Sequence, residues 1–237
     1  MLESDPTART VAEPGVAPLA DSNPHALQIL TTEHWSLLAA RSLGYTEAMS
    51  RASIFIAALS GAVVALALVA QATDFGTGFV AFALVLLPVV FLLGLSTVAR
   101  LAQVNSEDAR LVGGMNRIRH AYLQLAPELE PYFVTSRYDD REGIMLTALG
   151  TTTLPRYQPF LGIPGIVAVI DAVVAAAAAG IAALALGAGV AGSIAAGAVV
   201  FALTLWLFVR WASSKIAAWG IVARFPAPQN GDGSRGF

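Results

Sequence analysis

The sequence predicts an all-α integral membrane protein, with four transmembrane helices arranged as two hairpins and with cytosolic helical extensions. Apolar residues make up 56% of the chain and charged residues only 13%, whereas about a quarter of the residues in soluble proteins are charged. Four apolar stretches are each long enough to cross a bilayer, which takes about 20 helical residues. None of them alternates apolar and polar residues with a period of two, so helices are expected rather than membrane strands.

The four predicted spans divide the chain into six regions. The spans cover residues 52–71, 78–99, 163–187 and 193–211. The regions are a disordered N-terminal tail (1–24), a cytosolic amphipathic helix (25–51), a first transmembrane hairpin (52–99), a cytosolic helical loop region (100–162), a second transmembrane hairpin (163–211), and a cytosolic juxtamembrane helix with a disordered tail (212–237).

The polar regions next to the first hairpin carry helical patterns of their own. Apolar residues recur at near-helical spacing over residues 25–51 and again from Leu111 to Tyr122, and such spacing is typical of an amphipathic helix. The first of these helices is expected to run straight into the first span. Pro127 is expected to end the second of these helices, and shorter helices are predicted near residues 128–133 and 139–149. The tail from Pro226 onward reads as disordered, because it is rich in proline, glycine and polar residues.

The distribution of basic residues predicts the orientation of the spans. Lysine and arginine occur before the first span, between the second and third, and after the fourth, whereas the turns "ATDFGTG" and "GAGVAGS" contain none. Because basic residues are retained on the cytoplasmic side, both termini and the central loop are expected in the cytoplasm.

The two hairpins differ in the kind of helix packing that they predict. The second hairpin is rich in alanine and glycine, and small residues let helix backbones approach closely within a membrane. Its predicted packing residues are Ala176, Gly180, Gly192 and Gly197. In the second span, Pro88 is expected to kink the helix, and it is either a tolerated structural kink or a gating hinge.

Asp171 is the one charged residue in the apolar run from Gly162 to Gly187. A carboxylate in hydrocarbon is unfavourable by a few kcal/mol or more, so it is expected at an edge, paired, or functional. A span that begins at Ile163 places Asp171 about 12 Å along the axis, near the midplane, as a candidate ion or proton site. A span that fills only the last twenty residues places it at headgroup depth, where it needs no special role.

The sequence shows no catalytic constellation, so no enzyme, cofactor or metal is predicted. The chain has no cysteine, and it lacks phosphate-loop, zinc-protease and serine-hydrolase motifs. Gly113-Gly114 is either a phosphate cradle or a flexible joint. Asp139, Asp140 and Glu142 either gather Mg²⁺ or favour the start of a short helix. The formal charge of −2 gives no reason to expect nucleic acid.

Three functions agree with this pattern, the third being a membrane-embedded enzyme for a lipid or pyrophosphate substrate. The first is a homo-oligomeric, channel- or transport-like protein whose cytosolic helices are able to gate it, with Asp171 as the candidate site. The second is a non-catalytic anchor or scaffold whose cytosolic helices, residues 25–51 and 101–149, bind a partner protein. One lysine against thirteen arginines, with abundant alanine and glycine, is typical of GC-rich bacterial genomes. The expected location is therefore the bacterial plasma membrane.

Overall fold

The protein is all-helical over the residues that its computed structural model describes, which are 25–153, 160, 162–217 and 222–228. The helices are α1 (Ala26–Thr73), α2 (Thr77–Leu125), a 3₁₀ helix (Pro127–Tyr132), α3 (Arg141–Leu149), α4 (Ile163–Ala185) and α5 (Gly189–Ala217). Four of them, α1, α2, α4 and α5, are long and apolar enough to cross a membrane, as the composition predicts. The predicted tail at residues 1–24 lies outside the described part, as do residues 229–237.

Helices α1 and α2 are each one uninterrupted helix. In α1 the polar helix predicted over residues 25–51 runs straight into the first span, as expected, whereas in α2 the second polar helix, predicted as a separate element, continues the span without a break. Their 48 and 49 residues correspond to lengths of about 72 and 74 Å, more than twice the roughly 30 Å of a bilayer core. No proline or turn sequence separates the apolar half of either helix from its polar half, so the backbone hydrogen bonds continue through the change of composition. We call the polar half of each helix, residues 26–51 of α1 and residues 100–125 of α2, its extension.

The turn between α1 and α2 is short and uses left-handed backbone. Asp74 and Phe75 have φ angles of 47° and 56°, and the Phe75 N–H donates to the carbonyl oxygen of Ala70 at 3.2 Å. The turn between α4 and α5 instead uses Gly187 and Gly189, with φ angles of 87° and 66°, where glycine avoids the steric penalty of a Cβ atom.

The four long helices pack as a series of neighbours. Helix α1 packs on α2, α2 on α4, and α4 on α5, and no comparably extensive contact joins α1 to α5 within the described ranges. The main core therefore lies where α1, α2 and α4 meet. Phe55, Ala83, Leu101 and Ala172 are at most 1% exposed there.

Ion pairs join the extensions of α1 and α2. The carboxylate of Glu47 accepts hydrogen bonds from Arg100 Nε and Nη2 at 3.0 and 2.9 Å and from Arg51 Nε at 2.9 Å. About two turns further out, Arg41 Nε and Nη2 donate to both oxygens of Asp108 at 2.7 and 3.3 Å. The bidentate geometry fixes the register of the two extensions more firmly than single contacts would.

The 3₁₀ helix, α3 and the loop between them (residues 127–149) cover the far end of the α2 extension, and we call them the cap. The backbone turns at the 3₁₀ helix and again at α3, whose N-cap residue Asp140 accepts a hydrogen bond from the Gly143 N–H at 2.7 Å. Asn116 is fully buried beneath the cap: its amide donates to the Tyr138 carbonyl at 2.7 Å, and its carbonyl accepts from Arg119 and Thr147. Satisfying this amide on both sides holds α2, the loop and α3 together.

Part of the chain after α5 lies on the cap, where residues 222–228 make backbone hydrogen bonds to Asp139 and Asp140. Of the tail that is predicted to be disordered from Pro226 onward, residues 226–228 are described, and the Ala227 N–H among them donates to Asp140. A proline-rich composition prevents helix formation, but it does not prevent binding of an extended segment to acceptors elsewhere in the chain.

Candidate functional site

The candidate site is the carboxyl group of Asp171, which the structure places inside the helix assembly. Helix α4 begins at Ile163 with Pro164 in its first turn. Proline suits this position, because an N–H in the first turn of a helix has no acceptor within the helix. Two turns later Asp171 points toward α2 and is only 3% exposed. Its neighbour Ala172 is fully buried, so this face of α4 is the one that packs.

A notch in α2 accommodates the carboxyl group. A Cβ atom placed on Gly94 would overlap Oδ1 and Cγ of Asp171 and would lie 2.8 Å from Cε2 of Phe55. The carboxyl group therefore rests directly on the α2 backbone, at a point where only glycine leaves room. Phe55, which is fully buried on α1, closes the same point from the other side.

The carboxyl group is poorly satisfied in this position. Oδ1 of Asp171 is buried and has no hydrogen-bond partner among the described residues. The two groups that meet the carboxyl group at this notch, the Gly94 backbone and the Phe55 ring, carry no side-chain donor. A buried polar atom without a partner is unfavourable by about 1–3 kcal/mol, and a site that keeps one needs a reason other than stability.

The structure gives the position of the Asp171 carboxyl group along α2, whereas its depth in a membrane stays a prediction. Gly94 precedes Arg100 by six residues, so the carboxyl group lies about 9 Å along α2 from the ion pair of Arg100 with Glu47. Measured from Thr77 at the other end of α2, the distance is about 26 Å. Asp171 is thus well inside the apolar region but nearer to the extensions than to the turns.

The small residues of the second hairpin do not all occupy the same kind of position. Gly180 and Gly197 lie where α4 and α5 approach most closely: a Cβ on Gly197 would lie 3.1 Å from the Ala176 carbonyl oxygen, and one on Gly180 would lie 3.3 Å from that of Ser193. Gly192 differs, since a Cβ there would meet only Ala188 of the preceding turn. Within α2, the helix continues through Pro88, whose ring is exposed.

The other candidates from the sequence have structural surroundings that explain them. Gly113 and Gly114 lie inside α2, where a Cβ would lie 3.1 Å from Ile144 and from Leu37 respectively, so the pair admits α3 on one side and α1 on the other. This is neither of the two alternatives given above. The carboxylates of Asp139 and Asp140 accept hydrogen bonds from protein N–H groups, and no group of metal-binding side chains occurs in the described part of the chain.

Sequence reasoning identified Asp171 but missed Gly94, Phe55 and Asn116. For Gly94 a signal exists, because it is the one glycine between Gly78 and Gly113 and interrupts a run of leucine and phenylalanine. Phe55 and Asn116 carry no such local signal, since each matters through residues distant in sequence.

No protein-family model, curated protein or solved structure matches this chain. The functional interpretation therefore comes from the site itself.

Proposed function

We propose that this chain is a multi-pass protein of the bacterial plasma membrane that assembles as a homo-oligomer and translocates protons, with Asp171 as the group that carries the proton. The observation that supports this is the buried Asp171 carboxyl group, with one oxygen unpartnered in the described structure, among four helices able to cross a membrane. Ionisable groups at such positions typically mark ion or proton pathways.

The chemistry of the surroundings favours a proton over a metal cation. Mg²⁺ takes about six oxygen ligands and Ca²⁺ six to eight, and channels for monovalent cations surround the ion with rings of carbonyl or carboxylate oxygens. Asp171 supplies one carboxyl group, packed against the Gly94 backbone and an aromatic ring. A carboxyl group alone can bind and release a proton, because that step needs no further ligand.

We propose that protons gain access to Asp171 through movement of the helices or through neighbouring copies of the chain in an oligomer. Phe55 and α2 cover Asp171 on its own chain, so a proton reaches it only when α4 shifts against α1 and α2 or when an oligomer adds a water-filled path. The extensions of α1 and α2, joined by Glu47 and Arg100, continue directly from the helices that cover the site. A force on the extensions is therefore transmitted to Phe55 and Gly94 through continuous helix.

The proposed arrangement in the membrane is two hairpins, with the termini, the extensions and the cap in the cytoplasm. Single cysteines test this in the otherwise cysteine-free chain. Thr77 and Val190 lie at the two turns, and Val134, which is 98% exposed, lies in the loop before α3. We expect an impermeant thiol reagent to label cysteine at 77 and 190 in intact cells and to label cysteine at 134 only after lysis. Labelling of position 134 alone in intact cells would show that the orientation is the reverse of the one proposed.

Proton flux in liposomes tests the function. We expect wild-type protein to dissipate a pH gradient and Asp171→Asn to reduce that flux by at least tenfold, because the amide keeps the size of the side chain but cannot exchange a proton. Asp74→Asn is the matched control: Asp74 is exposed in the α1–α2 turn, and asparagine tolerates its left-handed φ angle, so flux should not change. Equal flux from wild type and Asp171→Asn, at matched protein density, would exclude the proposal.

The alternative, a membrane anchor for a partner protein, is favoured by one observation. Seven large apolar side chains on the α1 extension are exposed, and two of them, Ile29 and Leu43, lie apart from the others around the helix. The remaining five are Leu27, Trp35, Leu38, Tyr45 and Met49. At 100° per residue they fall within about a quarter of the helix circumference, on a face that α2 does not cover. Absence of flux from wild type and both variants would favour this alternative, and substitution of Trp35 by glutamate should then abolish co-purification of a partner.

A further inference from the structure

A second polar cluster lies far from Asp171, where the chain after α5 meets the cap. Asp139, in the loop before α3, is fully buried, and its carboxylate is paired with the guanidinium group of Arg117 on α2. The same carboxylate accepts the N–H of Arg224 at 2.9 Å and the N–H of Phe225 at 2.8 Å. Residues 222–228 are thus bound through their backbone.

The segment accepts hydrogen bonds from the cap and α2 as well as donating them, as expected of a bound extended peptide. The Asp139 N–H donates to the Phe225 carbonyl at 3.3 Å, and Arg117 Nη2 donates to the Val222 carbonyl at 2.9 Å. Further along, the Ala227 N–H donates to Asp140 Oδ2 at 2.9 Å. Asp140 caps α3 with its other carboxylate oxygen, so one side chain both fixes the cap and binds the segment.

An aromatic contact adds a side-chain preference to this backbone recognition. The Phe225 ring stacks on the His120 ring, with centroids 4.1 Å apart and planes inclined by 15°. Phe225 and Ala227 each precede a proline, and a residue before proline is biased toward extended backbone. The segment is therefore close to its bound conformation before it binds, which lowers the entropy lost on binding.

The charge on Asp139 strengthens the contacts. Burial alone would raise the pKa of this carboxyl group, but the N–H of Arg224, the guanidinium of Arg117 and the N–H of Phe225 together hold the pKa below its ordinary value. The group is ionised at neutral pH, and hydrogen bonds to an ionised acceptor are roughly twice as strong as neutral ones.

We propose that Arg117, His120, Asp139 and Asp140 form a binding site for an extended peptide that contains Phe-Pro, and that residues 222–228 are its resident, displaceable ligand. We call these four residues the cradle. Helix α5 ends at Ala217, only a few residues before the segment, so an occupied cradle holds the end of α5 beside the α2 extension. No extensive contact otherwise joins α2 and α5 in the described structure, and release of the segment would free the last helix.

The full chain with Arg224→Pro and Ala227→Pro tests the proposal. These changes remove two of the three N–H groups of the segment that donate to Asp139 and Asp140, those of Arg224 and Ala227, and leave the Phe225 N–H and every residue of the cradle intact. A fluorescent peptide with the sequence of residues 222–228 should then bind the double variant saturably. It should bind wild type at least tenfold more weakly, since the tethered segment competes at an effective concentration of about millimolar. A peptide with Phe225→Ala should bind the double variant at least fivefold more weakly than the unaltered peptide.

Three results would overturn the proposal. One is equal peptide binding to wild type and the double variant. Another is no binding to the double variant when hydrogen exchange shows that α3 is as protected as in wild type. The third comes from the wild-type protein and applies even if the cap of the double variant does not fold. The amide hydrogens of Arg224, Phe225 and Ala227 should exchange slowly in the wild type. Exchange as fast as in the free peptide would show that the segment is not bound.

Discussion

Replacing Gly94 with alanine is expected to destabilise the packing of α1, α2 and α4 by about 1–3 kcal/mol, the usual range for overpacking a filled interior. The added methyl group would overlap the carboxyl group of Asp171 and would crowd the ring of Phe55. Both side chains are almost fully buried, so neither has free space to move into. Unfolding in mixed detergent micelles, followed by circular dichroism, measures the change.

Two further variants identify the cause of this loss. Gly61→Ala is the matched control, because a Cβ at this exposed glycine of α1 has nothing within 4 Å, and it should leave stability unchanged or slightly raised through helix propensity. In the Asp171→Ala background, Gly94→Ala should lose less stability than in wild type, since two of its three crowded contacts are gone. Equal losses in both backgrounds would show that Gly94 and Asp171 are not coupled.

Leucine at Gly197 or at Gly180 is expected to loosen the contact between α4 and α5 by about 1–3 kcal/mol each. The carbonyl oxygens of Ala176 and Ser193 leave no room for a longer side chain, so the backbones must separate. Between helices in a membrane, close packing is a main source of attraction, and separation loses it without an equivalent gain.

The control for the two leucine variants is Gly61→Leu, whose side chain would point into open space. Stability measured by the same detergent titration should change little in that variant. If Gly197→Leu and Gly180→Leu behave like Gly61→Leu, the close approach of α4 and α5 does not contribute to stability as inferred.

Local features of this chain are predictable because their causes lie within one or two helical turns. The short helices expected near residues 128–133 and 139–149 appear as Pro127–Tyr132 and Arg141–Leu149, since proline and an aspartate N-cap act on adjacent residues. The polar helix over residues 25–51 continues into the first span for a similar reason, because a change from polar to apolar composition changes what a helix contacts and not its hydrogen bonding.

The candidate site is predictable only in part. Asp171 stands out in the sequence as a lone acid in an apolar run, which is a statement about one residue and its neighbours in the chain. Its contact with Gly94 joins residues 77 positions apart, and the cradle joins Asp139 to a segment 85 positions later. Single-sequence patterns do not contain such pairings.

By itself, the sequence determined that the chain is helical, that four of its helices are able to cross a membrane, and that one acid lies among apolar residues. These follow from composition and from the local rules of backbone hydrogen bonding. Only the tertiary structure decided that α2 lies between α1 and α4, that a glycine notch receives the Asp171 carboxyl group, and that residues 222–228 bind the cap. These depend on which surfaces meet, and small residues such as Gly94 and Gly197 determine this through the space that they leave.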